Sequence, residues 1–126
     1  MKRQIVATDA APKAVGPYSQ AVWAGDILFC AGQIPVEPTT GNMVPGGITE
    51  QATRVLENIR GLLKSQGLDF ANVVKSTVFL SDMNNFAAMN EVYGKAFPKD
   101  PPARSTVQAA RLPKDAMVEI EVVACR

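Results

Sequence analysis

The chain has 126 residues, 47% of them hydrophobic and 20% charged, with a formal net charge of +1. That length suits a single domain over residues 1–126, able to bury roughly two thirds of its unfolded surface. Near-neutral charge without a basic run speaks against nucleic-acid binding by bulk electrostatics, and no apolar stretch approaches the roughly 20 residues that cross a bilayer.

The start, "MKRQIVATDAAPK", is basic but lacks an adequate apolar core for a signal peptide, so the expected location is cytoplasmic. Within it, "RQIVAT" is the first strand candidate. A turn at Gly16-Pro17 follows, and "QAVWAGDILFCAGQI" suits a hairpin around Gly25-Asp26. Residues 35 to 47 carry three prolines and three glycines and form a loop. No Gly-Lys-Ser/Thr follows, which excludes a phosphate loop.

Residues 48 to 66 show the clearest helical spacing, through Ile48, Ala52, Val55, Leu56, Ile59, Leu62 and Leu63. Thr49 suits the N-cap, Gly67 the stop, and Glu50 with Arg54 a solvent-face pair. Gly61 predicts close packing against a sheet. "VVKSTVFLSD" reads as a central strand. A second helix spans about 84 to 97, with Phe86, Met89, Tyr93 and Phe97 on one face. "RSTVQAA" reads as a buried strand, and after a "PKD" turn "MVEIEVVAC" closes the chain. The order β-β-β-α-β-α-β-β, with hairpins at both ends, predicts an α+β fold with helices on one sheet face. The other face then needs a cover, which oligomerisation would supply.

The chain has no histidine, so neither a Ser–His nor a Cys–His nucleophile pair exists within it. Cys30 and Cys125 form no CxxC, and both lie in apolar runs as small buried hydrophobes. Chemistry must rest on Arg, Lys, Glu, Asp, Tyr, hydroxyls and backbone groups, and no metal is expected.

Alternation in the last strand puts Glu119, Glu121 and Val123 on one face, and Val118, Ile120, Val122 and Ala124 on the other. The carboxylates then belong either to an ion-paired outer face or to an intersubunit cleft. Arg104, in "PPARST", either pairs with Glu119 or Glu121 across adjacent strands or offers its planar fork to a ligand carboxylate. Asn90 falls on the aromatic stripe of the second helix and wants hydrogen-bond partners. Tyr18 either packs or presents its hydroxyl.

"GPYSQA", "AGQIP", "VVKSTVFLSDMNNFAAMNEVYGKAF", "PPARS" and "ARLPKDAMVEIEVVA" resemble the RidA-like reactive-intermediate deaminases (the YjgF type), in order and over nearly the whole chain. The resemblance implies a chorismate-mutase-like fold: a mixed six-stranded sheet with two helices on one face, assembled as a trimer around a sheet-lined barrel. It implies three intersubunit clefts and hydrolysis of enamine and imine acids, such as 2-aminoacrylate and 2-iminobutyrate, to 2-oxo acids and ammonia. Pyridoxal-phosphate enzymes release such intermediates, and the family itself needs no cofactor.

By the same resemblance, the carboxylate-binding arginine falls on Arg104, the water-handling glutamate on Glu119, the site tyrosine on Tyr18, and a site-wall asparagine on Asn90. Ala31 stands where a serine is common and Thr106 where a cysteine is common, departures that bear on substrate range. The expected partners are a small 2-imino or 2-oxo acid and two further copies of the chain, with neither nucleic acid nor membrane. A small-carboxylate sensor without turnover is the alternative reading. A ribonuclease or translation inhibitor is a third, opposed by the charge balance and the lack of a basic–aromatic stripe.

Overall fold

A computed structural model describes residues 2–126 of the chain. The elements are β1 (Arg3–Val6), β2 (Ala21–Ala24), β3 (Ile27–Cys30), α1 (Ile48–Lys64), β4 (Val73–Leu80), α2 (Phe86–Ala96), β5 (Ala103–Gln108) and β6 (Val118–Cys125). The strands form one mixed sheet in the order β1-β2-β3-β6-β4-β5. Only β4 and β5 pair in parallel, with α2 as their crossover. The six strands and two helices make the expected α+β architecture, and β4 is an interior strand as expected.

Two expectations fail at the C-terminal end. β5 and β6 form no hairpin; β6 instead inserts between β3 and β4 and pairs with both. β5 is consequently an edge strand, hydrogen-bonded only to β4 and largely exposed, not buried. The eight-residue β6 has an apolar residue at every second position, so it is the better occupant of the two-sided interior place.

Its alternation works as expected. Val118, Ile120, Val122 and Ala124 are buried under the helices. Glu119, Glu121 and Val123 face the other side. Register carries this parity across the sheet, because residues paired between neighbouring strands share a face. The helix side therefore holds Ser76, Val78 and Leu80 of β4, and Arg104 and Thr106 of β5. The open side holds Ile5, Val22, Phe29, Val123 and Lys75 in one cross-strand row. Ile5, Ile27, Phe29 and Val107 are all substantially exposed there.

α1 buries Ala52, Val55, Leu56, Ile59, Leu62 and Leu63 against the sheet and α2. Its N-cap is Gly47 rather than Thr49. The Glu50 carboxylate turns back to accept the Gly47 N–H at 2.8 Å, so it does not pair with Arg54. Arg54 bonds Glu57 instead, at 3.1 Å. The helix ends two residues earlier than expected, at Lys64. Gly67 then takes a φ of 74°, and the Leu68 N–H reaches the Leu63 carbonyl at 2.9 Å. A Cβ on Gly61 would strike the carbonyl of Ala10, so this glycine makes room for the N-terminal segment and not for the sheet.

That segment is held by the buried Gln20. Its oxygen accepts the Thr8 N–H at 2.7 Å, and its amide donates to the carbonyls of Thr8 at 2.9 Å and Pro12 at 2.8 Å. Buried Asn58 likewise donates to the Val36 carbonyl at 2.8 Å, fixing the loop after β3. These two amides shape the walls of the cleft that follows. Among the described residues no helix is long and apolar enough to cross a membrane.

A candidate active site in two halves

The first half is a cleft of about 800 Å³ beside the N-terminal end of β6, lined by Tyr18, Ala31, Gly32, Ile34, Lys114 and Glu119 among others. Glu119 enters it because its parity turns it away from the helices. A Cβ on Gly32 would overlap the Glu119 carboxylate, so the glycine provides the space in which that carboxylate sits. Burial first, and then the neighbouring Glu121 charge, push the Glu119 pKa above its ordinary 4.5. A carboxyl of this kind can take and return protons closer to neutrality.

Tyr18 presents its hydroxyl instead of packing. It is 53% exposed, follows Gly16 with its φ of 122°, and accepts a 3.3 Å hydrogen bond from the Val15 N–H. Lys114 reaches the rim from a tight turn in which its own φ is 55°, pinned by the Arg111–Asp115 ion pair at 2.7 Å.

The second half lies on the helix side of the sheet's edge. Arg104 of β5 pairs in register with Ser76, and its Nη1 donates to Asn90 Oδ1 of α2 at 2.7 Å. Its guanidinium carbon lies 4.7 Å from the centroid of the Tyr93 ring and 5.6 Å from that of Phe86. Asn90 is exposed at the margin of the aromatic stripe, so it does not belong to the core. Thr106 sits two residues along the same face, its buried hydroxyl without a hydrogen-bond partner among the described residues. The ion pair with Glu119 or Glu121, one of the two alternatives for Arg104, does not form, because β6 is two strands away and those carboxylates face the opposite side.

Tyr18, Ala31 and Glu119 thus come together, and Arg104, Asn90 and Thr106 come together, but one protomer does not join the two sets. Gly32, Ser76 and Tyr93 were missed from sequence. The "AGQ" glycine could have been suspected of close approach, whereas nothing local links Ser76 to Tyr93. Cys30 is buried and its thiol is pushed up to about 12, an unreactive state. Cys125 is only half-buried, contrary to expectation, because its parity places it on the open face. Among the described residues no three His, Cys, Asp or Glu side chains converge as a metal cluster.

The family model described as "Endoribonuclease L-PSP" matches residues 8–126. A RutC family protein of Pyrococcus horikoshii is 51% identical over 97% of this chain and 97% of its own. The 2-iminobutanoate/2-iminopropanoate deaminase of Capra hircus is 48% identical over 97% of this chain and 89% of its own. The crystal structure of E. coli TdcF with bound serine superposes with a TM-score of 0.93 at 45% identity, covering 98% of each chain. Fold, length and sequence agree over nearly the whole chain, and it belongs to the endoribonuclease L-PSP family, the RidA-like proteins.

Proposed function

We propose that the protein hydrolyses small 2-imino and 2-enamino acids, such as 2-iminobutyrate and 2-aminoacrylate, to 2-oxo acids and ammonia. The observation that carries this reading is the pair of complementary half-sites: on one face a guanidinium with no ion-pair partner among the described residues, and in a cleft on the other a carboxyl of raised pKa. The mammalian relatives named as 2-iminobutanoate/2-iminopropanoate deaminases support the same reaction class. The serine bound to E. coli TdcF is a ligand of matching size and charge.

The two halves unite only between copies. The open face of one protomer, apolar through Ile5, Phe29 and Val107, is the surface that a second copy covers. An edge residue of one copy meeting a cleft on the face of the next is a heterologous contact. Such contacts close into rings and not into two-fold dimers. Three copies, the number implied by the family resemblance, give three sites.

Within each site Arg104 binds the substrate carboxylate with its free edge while Asn90 holds the other. Glu119 of the adjacent copy accepts a proton from water as the oxygen attacks the protonated imine carbon, giving a carbinolamine. The proton returns to nitrogen, and as the C–N bond breaks Glu119 takes the hydroxyl proton and passes it to the departing ammonia, leaving the 2-oxo acid. Tyr18 offers its hydroxyl to the substrate or the water. A protonated imine is a strong electrophile, so positioning supplies most of what the reaction needs.

The family's description refers to an endoribonuclease, but a net charge of +1 gives RNA little electrostatic footing here. The deciding experiment generates 2-iminobutyrate from threonine with a dehydratase and follows 2-oxobutyrate release. Release should quicken in proportion to added protein. Binding of 2-oxobutyrate without any quickening would make the chain a sensor instead.

A further inference from the structure

We propose that Tyr93, anchored in the core through Ser76, is the positioning residue that sets the plane of the Arg104 guanidinium. The inference rests on the reading of Arg104 as the carboxylate clamp. Arginine has four rotatable side-chain bonds, and an edge strand gives it few neighbours. Something must hold the fork flat if it is to meet a carboxylate at two points.

Asn90 alone cannot do this. Its single 2.7 Å bond to Nη1 fixes one corner of the guanidinium and leaves rotation about that corner free. The Tyr93 ring supplies the missing constraint. Its centroid is 4.7 Å from the guanidinium carbon, within the range of a cation–π contact, and Phe86 adds a looser second ring at 5.6 Å. A guanidinium held over a ring, with one corner tied to Asn90, has little rotational freedom left and keeps its remaining donors for a ligand.

The ring in turn is anchored. Tyr93 is 5% exposed, its centroid is 4.7 Å from that of Phe97, and its hydroxyl shares a 2.6 Å hydrogen bond with the Ser76 hydroxyl. Ser76 is 1% exposed on β4 and is the direct register partner of Arg104 on β5. The chain Ser76–Tyr93–Arg104 therefore closes a loop from the sheet, through α2, back to the neighbouring strand. A serine within a buried strand face is otherwise a poor choice among Val78 and Leu80, and its conspicuous partner is this tyrosine. No carboxylate competes for the guanidinium among the described residues.

The test uses the assembled protein and two readouts. In the coupled 2-iminobutyrate assay, Tyr93→Leu should lower kcat/KM by roughly three- to thirtyfold, the range of a cation–π contact. Most of the loss should fall on KM, because carboxylate capture is what suffers. Tyr93→Phe, which keeps the ring, should recover most of it. In an Arg104→Ala background Tyr93→Leu should cost nothing further, since the residue acts only through that arginine.

The second readout needs no turnover. The Arg104 Nε–Hε group should be rigid by NMR relaxation in the wild type and in Tyr93→Phe, and mobile in Tyr93→Leu. Equal losses from Tyr93→Leu with and without Arg104, or an Arg104 group equally ordered in all three proteins, would overturn the proposal. A wild type that orders Arg104 as described yet leaves imine decay unchanged would refute the deaminase reading and keep the positioning role.

Discussion

Arg104 and Glu119 lie on opposite faces of one sheet. Arg104 pairs with Ser76, whose hydroxyl meets Tyr93 under the helices, whereas Glu119 pairs with Phe79 on the open side. Two groups so placed cannot serve one small ligand within a protomer. On the proposed reading, the chemistry therefore requires a second copy of the chain.

Loss of the guanidinium should leave a folded protein. Arg104 is half-buried on an edge strand and has no ion-pair partner among the described residues, so Arg104→Ala should keep the wild-type melting temperature within a few degrees. Its rate should fall by about ten- to a hundredfold, because a hydrogen bond to a charged group contributes roughly 1.5–3 kcal/mol. Arg104→Lys should stay impaired, an ammonium being unable to reproduce the fork. Unfolding of Arg104→Ala, with full specific activity in the folded remainder, would assign the arginine a structural part.

Burial and the Glu121 charge both raise the Glu119 pKa. The base form is lost as pH falls through that value, so kcat/KM should show an acid limb. Glu121→Gln removes the second cause and should move the limb to lower pH without changing its slope; an unmoved limb would exclude Glu119 as the titrating base. Stability follows the opposite sense to a salt-bridged carboxylate. The native carboxyl holds its proton more tightly than the unfolded one, at about 4.5, so stability declines as pH rises from there through the native value. Glu119→Gln should accordingly melt higher than wild type at neutral pH, match it near pH 4, and lose turnover while still binding 2-oxobutyrate.

Gly32→Ala tests the cradle. The added methyl meets the flexible end of Glu119 and not backbone, so the carboxylate swings aside at little cost in stability. Turnover should drop by at least about tenfold, since misplacement of a reacting group by one ångström can cost more than that. Unchanged kinetics would show that the carboxylate position is not critical.

Light scattering at micromolar concentration should give three times the 13.5 kDa protomer mass. Phe29→Asp puts a charge in the middle of the exposed apolar row and should yield monomers. Those monomers should be inactive although every residue of both half-sites is intact. An active monomer would disprove the shared site.

Much of this was legible in the residues. The alternation of 118–125 placed Glu119 away from the core, because a strand has a strict period of two. The apolar spacing of 48–63 made α1 visible, and "GPYSQA", "PPARS" and "VEIEVVA" pointed to the family. Strand order was not legible. The insertion of β6 between β3 and β4, which puts β5 at the edge and leaves Arg104 half-buried there, depends on pairing between distant segments, Ile27 with Cys125 and Phe29 with Val123, and leaves no local signature. The same holds for Gly61 against Ala10, for Gln20 holding residues 8–12, and for Ser76 under Tyr93. Local periodicity decides which face a side chain takes; only long-range packing decides which other side chains share that face, and so where a site can form.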